Sequence, residues 1–467
     1  MTWKVIMRAV LCALVLVQAP VGVSAQTPDR SIDQESVFGD WHGRIVAGAA
    51  NPRVAMHLGE TSTFDSLEEG LRGAAGELAI SGRRVTLSVP SIGGVFEGEL
   101  SEDGAQLRGE WRQLGHSFPL TLERGQAALN RPQTPIAPFP YRAEDVAFQN
   151  PQRPDVRLAG TLTIPEGRGR HPAVLLITGS GPQDRNEAVM GHQPFLVLAD
   201  YLSRRGFAVL RVDDRGVGGS TGATPNDTMH DYVTDTEAGV AYLRSRRDID
   251  ARRIALIGHS EGGLIAPLVA SSDRRIAGLV LWAGPGVRGA EVMVEQTRAI
   301  MESTGTPAEQ VETAVQSQRR TMEALNGARD AVSAREAVMA VWRENGAQTE
   351  DEAALQAQLS MIASPWFRTF VAYDPAPTLR GLRTPVLALL GEKDVQVLPA
   401  QNEPALRAAL ANNSRARVIV FSGLNHLFQT STTGAVSEYA EIEETIAPEA
   451  LQTIGDWLEE TLGPHQE

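Results

Sequence analysis

The stretch ALIGHSEGGLIAPLVA, residues 255–270, decides the fold. It opens with an apolar run typical of a buried strand, and Leu264 to Ala270 has the pattern of a helix. Between them stands a glycine–x–serine–x–glycine motif centred on Ser260, in the strand–turn–helix context that such a motif requires. A strained turn lifts the serine hydroxyl clear of the sheet. Only small residues two before and two after the serine let strand and helix approach closely. We therefore expect Ser260 to act as a nucleophile.

Short apolar runs alternate with helical patterns on both sides of this stretch. The runs occupy residues 173–177, 207–212, 254–257, 278–282, 385–390 and 417–421. Helical patterns between them include residues 195–205, 231–246 and 400–411. Continuous apolar strands separated by helices indicate a mostly parallel sheet covered on both faces. The expected class for residues 141–467 is therefore α/β.

The amino-terminal part has a different composition, with short alternating runs broken by Gly, Asp and Ser. RVTLSV at 84–89 and GVFEGEL at 94–100 have the period of half-buried antiparallel strands. For residues 33–126 we expect a small all-β domain, a sandwich or a barrel, with a structural or substrate-shaping role. Residues 127–140 are rich in proline and are expected to form a stiff linker.

One insertion interrupts the α/β alternation. Residues 289–373 are charged and helical in pattern, with no strand signal. Because this segment falls between two sheet strands, we expect a helical cap over the sheet; the alternative is a helical decoration without that role. Its aromatic end, with Trp366, Phe367, Phe370 and Tyr373, is expected either to line a substrate pocket or to form the packing seam between cap and core.

A serine hydroxyl is a weak nucleophile and needs a base. Among the histidines, His426 in GLNHLF, residues 423–428, follows the last sheet strand and matches the expected chain order of nucleophile, acid and histidine. His192 is the nearest rival, because it follows the glycine-rich loop after the first central strand. His259 adjoins the serine but is expected to point off the turn.

The acid should stand at the carboxyl end of an intervening strand. GEKD at 391–394 supplies it, and we choose Asp394 over Glu392 because the turn places the later residue nearer the top of the sheet. Asp374 is a weaker rival. Lys393 is the only lysine beyond Lys4, and since it adjoins the acid, a serine–lysine dyad is excluded.

A tetrahedral intermediate also needs two N–H donors. One should be the backbone N–H of Glu261, immediately after the nucleophile. The other is expected in the loop TGSGP, residues 178–182, from Ser180 or, as second choice, Gly181.

The loop DDRGVGGS, residues 213–220, lacks the G-x-x-x-x-G-K pattern of a phosphate-binding loop. We interpret it as a structural loop bordering the site, with Arg215 paired to an acid. No His/Asp/Glu cluster has metal-ligand spacing, so we expect neither a metal nor a cofactor.

The first 25 residues have the form of a secretory signal peptide, with basic Lys4 and Arg8, an apolar run at 9–17 and a small-residue cleavage site. An uncleaved anchor is the alternative, but the run is shorter than the roughly 20 residues of a spanning helix. The single cysteine, Cys12, lies inside it. We expect an exported protein, periplasmic or secreted, without disulfides and with no stable membrane anchor after cleavage. The net charge of −14 disfavours nucleic-acid partners.

Four motifs together resemble the bacterial esterase-D-type lipolytic esterases of the α/β-hydrolase superfamily. They are GHSEGG at 258–263, TGSGPQDRN at 178–186, DDRGVGGS at 213–220 and GLNHLFQ at 423–429, with IEETIAP at 442–448 in support. The resemblance covers about Tyr141 to Leu462. It implies an α/β-hydrolase fold, carboxylesterase activity on small-molecule esters with mainly short acyl chains, and a triad of Ser260, Asp394 and His426.

Two other functions stay open at this stage. An exopeptidase or acyl-peptide hydrolase would use the same triad. A non-catalytic envelope-binding protein would use the all-β domain on an inactive hydrolase scaffold, although an intact triad argues against it.

Overall fold

The computed structural model describes residues 36–46, 52–67, 71–113, 115–125, 130–167, 169–344 and 352–463. The expected signal peptide, residues 1–25, and Cys12 lie outside this part. The chain divides into two compact units. The first comprises residues 1–130 with the short segments 189–191 and 349–358, and the second comprises the remainder.

Within its described residues, the first unit contains an eight-stranded closed barrel. Neighbouring strands are antiparallel, and β1 pairs with β8 to close the barrel, with Trp41 opposite Arg124. The strands are β1 (Gly39–Ile45), β2 (Arg53–Leu58), β3 (Ser62–Ser66), β4 (Leu71–Ser81), β5 (Arg84–Val89), β6 (Gly94–Leu100), β7 (Gln106–Gln113) and β8 (His116–Arg124). The expected all-β domain is confirmed, and of the two architectures considered it is the barrel.

Side chains fill the interior of the barrel. Trp41, Met56, Phe64, Phe96 and Trp111 are each at most 1% exposed. Phe64 stacks on Trp111 with ring centroids 4.5 Å apart. In β5 and β6, buried and more exposed residues alternate as the sequence pattern predicted, because successive side chains of a strand point to opposite faces.

The described part of the second unit is built on an eight-stranded sheet in the order β16-β15-β14-β13-β11-β12-β10-β9. Strands β11 to β16 run parallel, whereas β10 pairs antiparallel with both β12 and β9. The strands are β9 (Tyr141–Asn150), β10 (Arg153–Pro165), β11 (His171–Ile177), β12 (Ala208–Val212), β13 (Ile249–His259), β14 (Gly278–Trp282), β15 (Val386–Gly391) and β16 (Ala416–Phe421).

Helices flank this sheet and form the insertion between β14 and β15. They are α1 (Pro194–Arg204), α2 (Met229–Ser245), α3 (Gly262–Ser272), α4 (Gly289–Ser303), α5 (Ala308–Gly327), α6 (Ala331–Glu344), α7 (Glu352–Ile362), α8 (Pro365–Ala372), α9 (Ala376–Gly381), α10 (Pro399–Leu410) and α11 (Pro448–Leu462). Strand order and helix placement confirm the expected α/β-hydrolase fold. Among the helices that are described, none combines the length and apolar character that a membrane span needs.

The topology brings the singled-out residues to one edge of the sheet. Ser260 directly follows β13, Asp394 lies in the turn after β15, and His426 lies in the loop after β16. The donor loop begins at Thr178, directly after β11. Because carboxyl ends of parallel strands meet at the same edge, residues far apart in the chain can form one site there.

Candidate active site

Ser260 occupies a strained turn between β13 and α3. Its φ of 52° is in the left-handed region, which a residue with a Cβ adopts only under structural constraint. The Ser260 N–H donates to the Trp282 carbonyl at 2.8 Å, and the Ser260 carbonyl accepts from the Gly263 N–H at 2.9 Å. These bonds hold the turn and therefore the direction of the serine side chain.

The glycines around Ser260 are required by close backbone contact. A Cβ on Gly258 would overlap the carbonyl oxygen of Gly262, and one on Gly262 would lie 2.3 Å from the carbonyl oxygen of Ile177. The steric reason for small residues on both sides of the serine, expected from the sequence, therefore holds in the structure.

His426 and Asp394 lie in direct hydrogen-bond contact. Nδ1 of His426 is 2.7 Å from Oδ2 of Asp394, and both residues are buried. The other carboxylate oxygen, Oδ1, accepts from the backbone N–H groups of Gln396 at 2.7 Å and Val397 at 2.8 Å. Three hydrogen bonds thus fix the carboxylate, and the one at Nδ1 in turn orients the imidazole.

The residues considered as alternatives for the acid and the base have other hydrogen-bond partners. The Glu392 carboxylate accepts from the Ser422 hydroxyl at 2.7 Å and from the Gly423 N–H at 2.8 Å. Asp374 accepts from the N–H of Ala376 at the start of α9. His192 is buried, with Nδ1 2.9 Å from the Thr445 hydroxyl and Nε2 2.8 Å from the Tyr439 carbonyl.

The loop that carries His426 is braced by the segment before α11. The Ala447 N–H donates to the Phe428 carbonyl at 2.7 Å, and the hydroxyl of Tyr439 accepts from Nε2 of Gln396 at 3.0 Å. Burial raises the pKa of Tyr439, so this hydroxyl stays neutral. From the proline-rich stretch, Arg131 donates to the carbonyls of Ala440 and Ile442, both at 3.0 Å. The stretch expected to be only a linker therefore also supports this loop.

The loop after β11 lies against the turn at Ser260. A Cβ built on Gly179 would lie 3.2 Å from the Cβ of Ser260. In the described part of the chain, neither the Ser180 N–H nor the Glu261 N–H donates to a backbone carbonyl. The Gly179 N–H, in contrast, donates to Oε1 of Glu187 at 2.6 Å and is not free for a substrate.

Trp366 of α8 contacts the residue next to the serine. Its Nε1–H lies 2.9 Å from Oε1 and 3.2 Å from Oε2 of Glu261. Both side chains line a cavity with Thr178, Gly179 and Gly181. Ser260, Asp394 and His426 are not among the residues that line this cavity, so the substrate-pocket role stays a prediction for Trp366. Phe367 and Phe370 are buried and pack beside it.

Burial raises the pKa of Glu261 from its ordinary value of 4.5 to about 7, although the hydrogen bonds from Trp366 and Ser180 oppose the shift. The carboxyl of Glu261, next to Ser260 in the chain, therefore changes between its protonated and ionised forms near neutral pH. No cationic side chain contributes to this shift, so ionisation there is not offset by an opposite charge.

We expect Glu261→Gln to flatten the pH dependence of stability. The folded state retains a proton that the unfolded state loses above pH 4.5, so this stabilisation is complete below pH 4.5 and disappears as pH rises through about 7. A pKa shift of this size corresponds to on the order of 3 kcal/mol of unfolding free energy. Between pH 5 and pH 8, the free energy of unfolding measured in urea should decrease more for the wild type than for the variant. Equal decreases in the two proteins would contradict the raised pKa of Glu261.

Two residues beside the nucleophile were not found by sequence reasoning. Glu187 had no motif signal of its own, and His259 was expected to point off the turn. The structure instead places the His259 ring between Glu187 and the backbone of His426. The expectation for Arg215 is confirmed, since its buried guanidinium lies 2.7 Å from Asp235 and 3.1 Å from Asp227.

Comparisons with known proteins identify a family and several relatives of this chain. The sequence model of the family described as serine aminopeptidase, S33, matches residues 193–430, about half of the chain. Esterase EstD of Thermotoga maritima is 28% identical over 270 residues, covering 58% of this chain and 58% of that protein. The acylamino-acid-releasing enzyme of Rattus norvegicus is 25% identical over 268 residues, covering 54% of this chain and 30% of that enzyme. The chain thus covers less than two thirds of the length of these relatives.

Among solved structures, an esterase of Pyrococcus furiosus aligns with 73% of this chain and 100% of its own, at 16% identity and a TM-score of 0.44. Est1E of Butyrivibrio proteoclasticus, solved with ferulic acid bound, aligns with 68% of this chain and 99% of its own, at 15% identity and a TM-score of 0.39.

Proposed function

The chain belongs to the serine aminopeptidase S33 family of hydrolases, and we propose that it is a serine carboxylesterase that forms an acyl-enzyme on Ser260. The observation that carries the proposal is the 2.7 Å contact between His426 and Asp394, at the sheet edge where Ser260 occupies a strained turn. The similarity to esterase EstD supports ester hydrolysis.

In the proposed reaction, the Ser260 hydroxyl attacks the ester carbonyl while Nε2 of His426 takes its proton. Asp394 stabilises the resulting imidazolium through the hydrogen bond to Nδ1. The backbone N–H groups of Ser180 and Glu261 are the proposed donors to the negatively charged oxygen of the tetrahedral intermediate.

The intermediate collapses when His426 returns the proton to the leaving alcohol, which departs and leaves the acyl group on Ser260. Water then attacks the acyl carbonyl and His426 takes a proton from it. His426 passes this proton to Oγ of Ser260 as the bond to the acyl group breaks, which releases the carboxylic acid and restores Ser260.

The proposed substrates are small esters with short acyl chains. The resemblance of the four sequence motifs to the esterase-D-type esterases supports this. The cavity beside the donor loop does not bear on acyl length, because Ser260, Asp394 and His426 are not among its lining residues. We also propose that the protein is exported, on the sequence of residues 1–25.

A series of p-nitrophenyl esters tests the acyl preference. We expect kcat/KM to be highest for acetate or butyrate and to fall for octanoate and palmitate, measured on protein lacking residues 1–25. A maximum at palmitate would indicate a lipase and would contradict the proposal.

Aminopeptidase or acyl-peptide hydrolase activity is the second candidate. The description of the family and the similarity to the acylamino-acid-releasing enzyme favour it. Leucine p-nitroanilide and N-acetylalanine p-nitroanilide, assayed beside p-nitrophenyl acetate, separate the two. We expect the ester to have the higher kcat/KM; a higher value for either anilide would reverse the assignment.

A further inference from the structure

His259, the residue before the proposed nucleophile, is buried between two hydrogen-bond acceptors. Nδ1 lies 2.9 Å from Oε1 of Glu187, and Nε2 lies 3.2 Å from the backbone carbonyl oxygen of His426. The side chains of His259 and Glu187 are only 6% and 5% exposed. The proposed reaction gives this histidine no role.

The partners of His259 determine its protonation state. A neutral imidazole has one N–H, whereas the imidazolium has two. A carbonyl oxygen accepts only, and the Glu187 oxygen already accepts from the Gly179 N–H at 2.6 Å, as an ionised carboxylate does. An imidazolium beside an ionised Glu187 satisfies both contacts by donating from both ring nitrogens; the alternative is a neutral ring that accepts at Nδ1 from a protonated Glu187.

The charged groups around His259 also favour a positively charged ring. A buried carboxylate is stable only when it is paired, and Oε2 of Glu187 is buried without a hydrogen-bond partner among the described residues. Burial lowers the pKa of His259, but the charge and hydrogen bond of Glu187, the His426 carbonyl and the charge of Asp394 outweigh it, so the pKa is raised. The remaining neighbours are the rings of Trp282 and His426, each with a centroid 4.8 Å away.

We propose that His259, held as an imidazolium by Glu187, is a positioning residue that fixes the backbone of His426 and sets the pH range in which His426 acts as a base. This inference rests on the proposed esterase function of the same site. Glu187 links two parts of that site, since one carboxylate oxygen contacts both the donor loop at Gly179 and the His259 ring.

Backbone strain at Glu187 supports a functional role for this contact. Its φ of 52° is in the left-handed region, which is uncommon for a residue with a long side chain. The strained conformation directs the carboxylate towards Gly179 and His259. Strain of this kind persists where the surrounding structure and its function require one conformation.

The charge of His259 acts on His426 through space. With the ring centroids 4.8 Å apart in a buried site, a positive His259 opposes a second positive charge on His426. This repulsion acts on the positive charge that forms when His426 takes the proton of Ser260.

The first experiment is the pH profile of kcat/KM for p-nitrophenyl acetate. In His259→Gln, the cation is removed and the Glu187 anion remains, so we expect the acid limb to move to higher pH by on the order of one unit. His192→Gln is the matched control, because His192 is also buried and its ring nitrogens contact the Thr445 hydroxyl and the Tyr439 carbonyl rather than Glu187. In this control, the acid limb of the profile should fall at the same pH as in the wild type. An acid limb at the same pH in His259→Gln and the wild type would overturn the proposal.

A second measurement does not depend on activity. In protein carrying Ser260→Ala and ¹⁵N-labelled histidine, the ring-nitrogen chemical shifts of His259 report its protonation. We expect both nitrogens to be protonated at pH 7.5 and only one in the further variant Glu187→Gln. A singly protonated His259 at pH 7.5 without that substitution would overturn the proposal. Absence of esterase activity in the wild type would instead reject the proposed function and leave this protonation result unchanged.

Discussion

Replacing Ser260 by alanine should lower kcat for p-nitrophenyl acetate by on the order of 10⁶-fold. The strained turn presents this hydroxyl, and alanine leaves no oxygen there to form the acyl-enzyme. The backbone N–H donors remain, so a small residual rate above the uncatalysed reaction is expected. Initial-rate measurements at saturating ester give the value.

The control for this variant is Ser271→Ala. Ser271 lies on the same helix, α3, where it is exposed and its hydroxyl donates to the Leu268 carbonyl. Alanine there should leave kcat unchanged. Alanine at position 260 keeps a Cβ and thus the same backbone constraint, so equal melting temperatures for the variant and the wild type would show that the fold is intact. Near-normal turnover in Ser260→Ala would reject the acyl-enzyme.

Replacing Asp394 by asparagine should lower kcat by roughly 10⁴-fold. The Gln396 and Val397 N–H groups point at Oδ1, so the amide oxygen of asparagine takes that position. Its NH₂ group then faces Nδ1 of His426, which must accept, and the ring proton moves to Nε2. A ring protonated at Nε2 cannot take the proton of Ser260.

Two matched variants test the choice of acid. Glu392→Gln changes a carboxylate that is bonded to Ser422 and Gly423, and Asp374→Asn changes one at the start of α9. Both should keep kcat close to the wild-type value. An inactive Glu392→Gln together with an active Asp394→Asn would show that the acid has been assigned to the wrong residue.

The parts of the fold that depend on local pattern were predictable from the sequence. The parallel strands are continuous apolar runs, and the turn at Ser260 follows from glycines that cannot carry a side chain. The antiparallel strands β9 and β10 were missed, because β9 is an edge strand in which half-buried and exposed residues alternate and it has no apolar run.

The contacts between distant side chains were not predictable. Glu187 and His259 are separated by 72 residues, and Trp366 and Glu261 by 105, and nothing in the periodicity of either segment indicates the pairing. The stability of a buried carboxyl depends on its hydrogen-bond partners, and these partners come together only when the chain folds. For Asp394 and His426, in contrast, their positions after two neighbouring parallel strands were sufficient to predict that both lie at the same sheet edge.

Covalent labelling tests the central claim most directly. The wild-type protein is treated with a fluorophosphonate probe, digested with trypsin and analysed by tandem mass spectrometry. The account predicts one adduct, in the peptide of residues 254–274, with fragment ions that place it on Ser260 rather than on Ser271 or Ser272. No adduct, or an adduct on another serine while the ester is still hydrolysed, would contradict it.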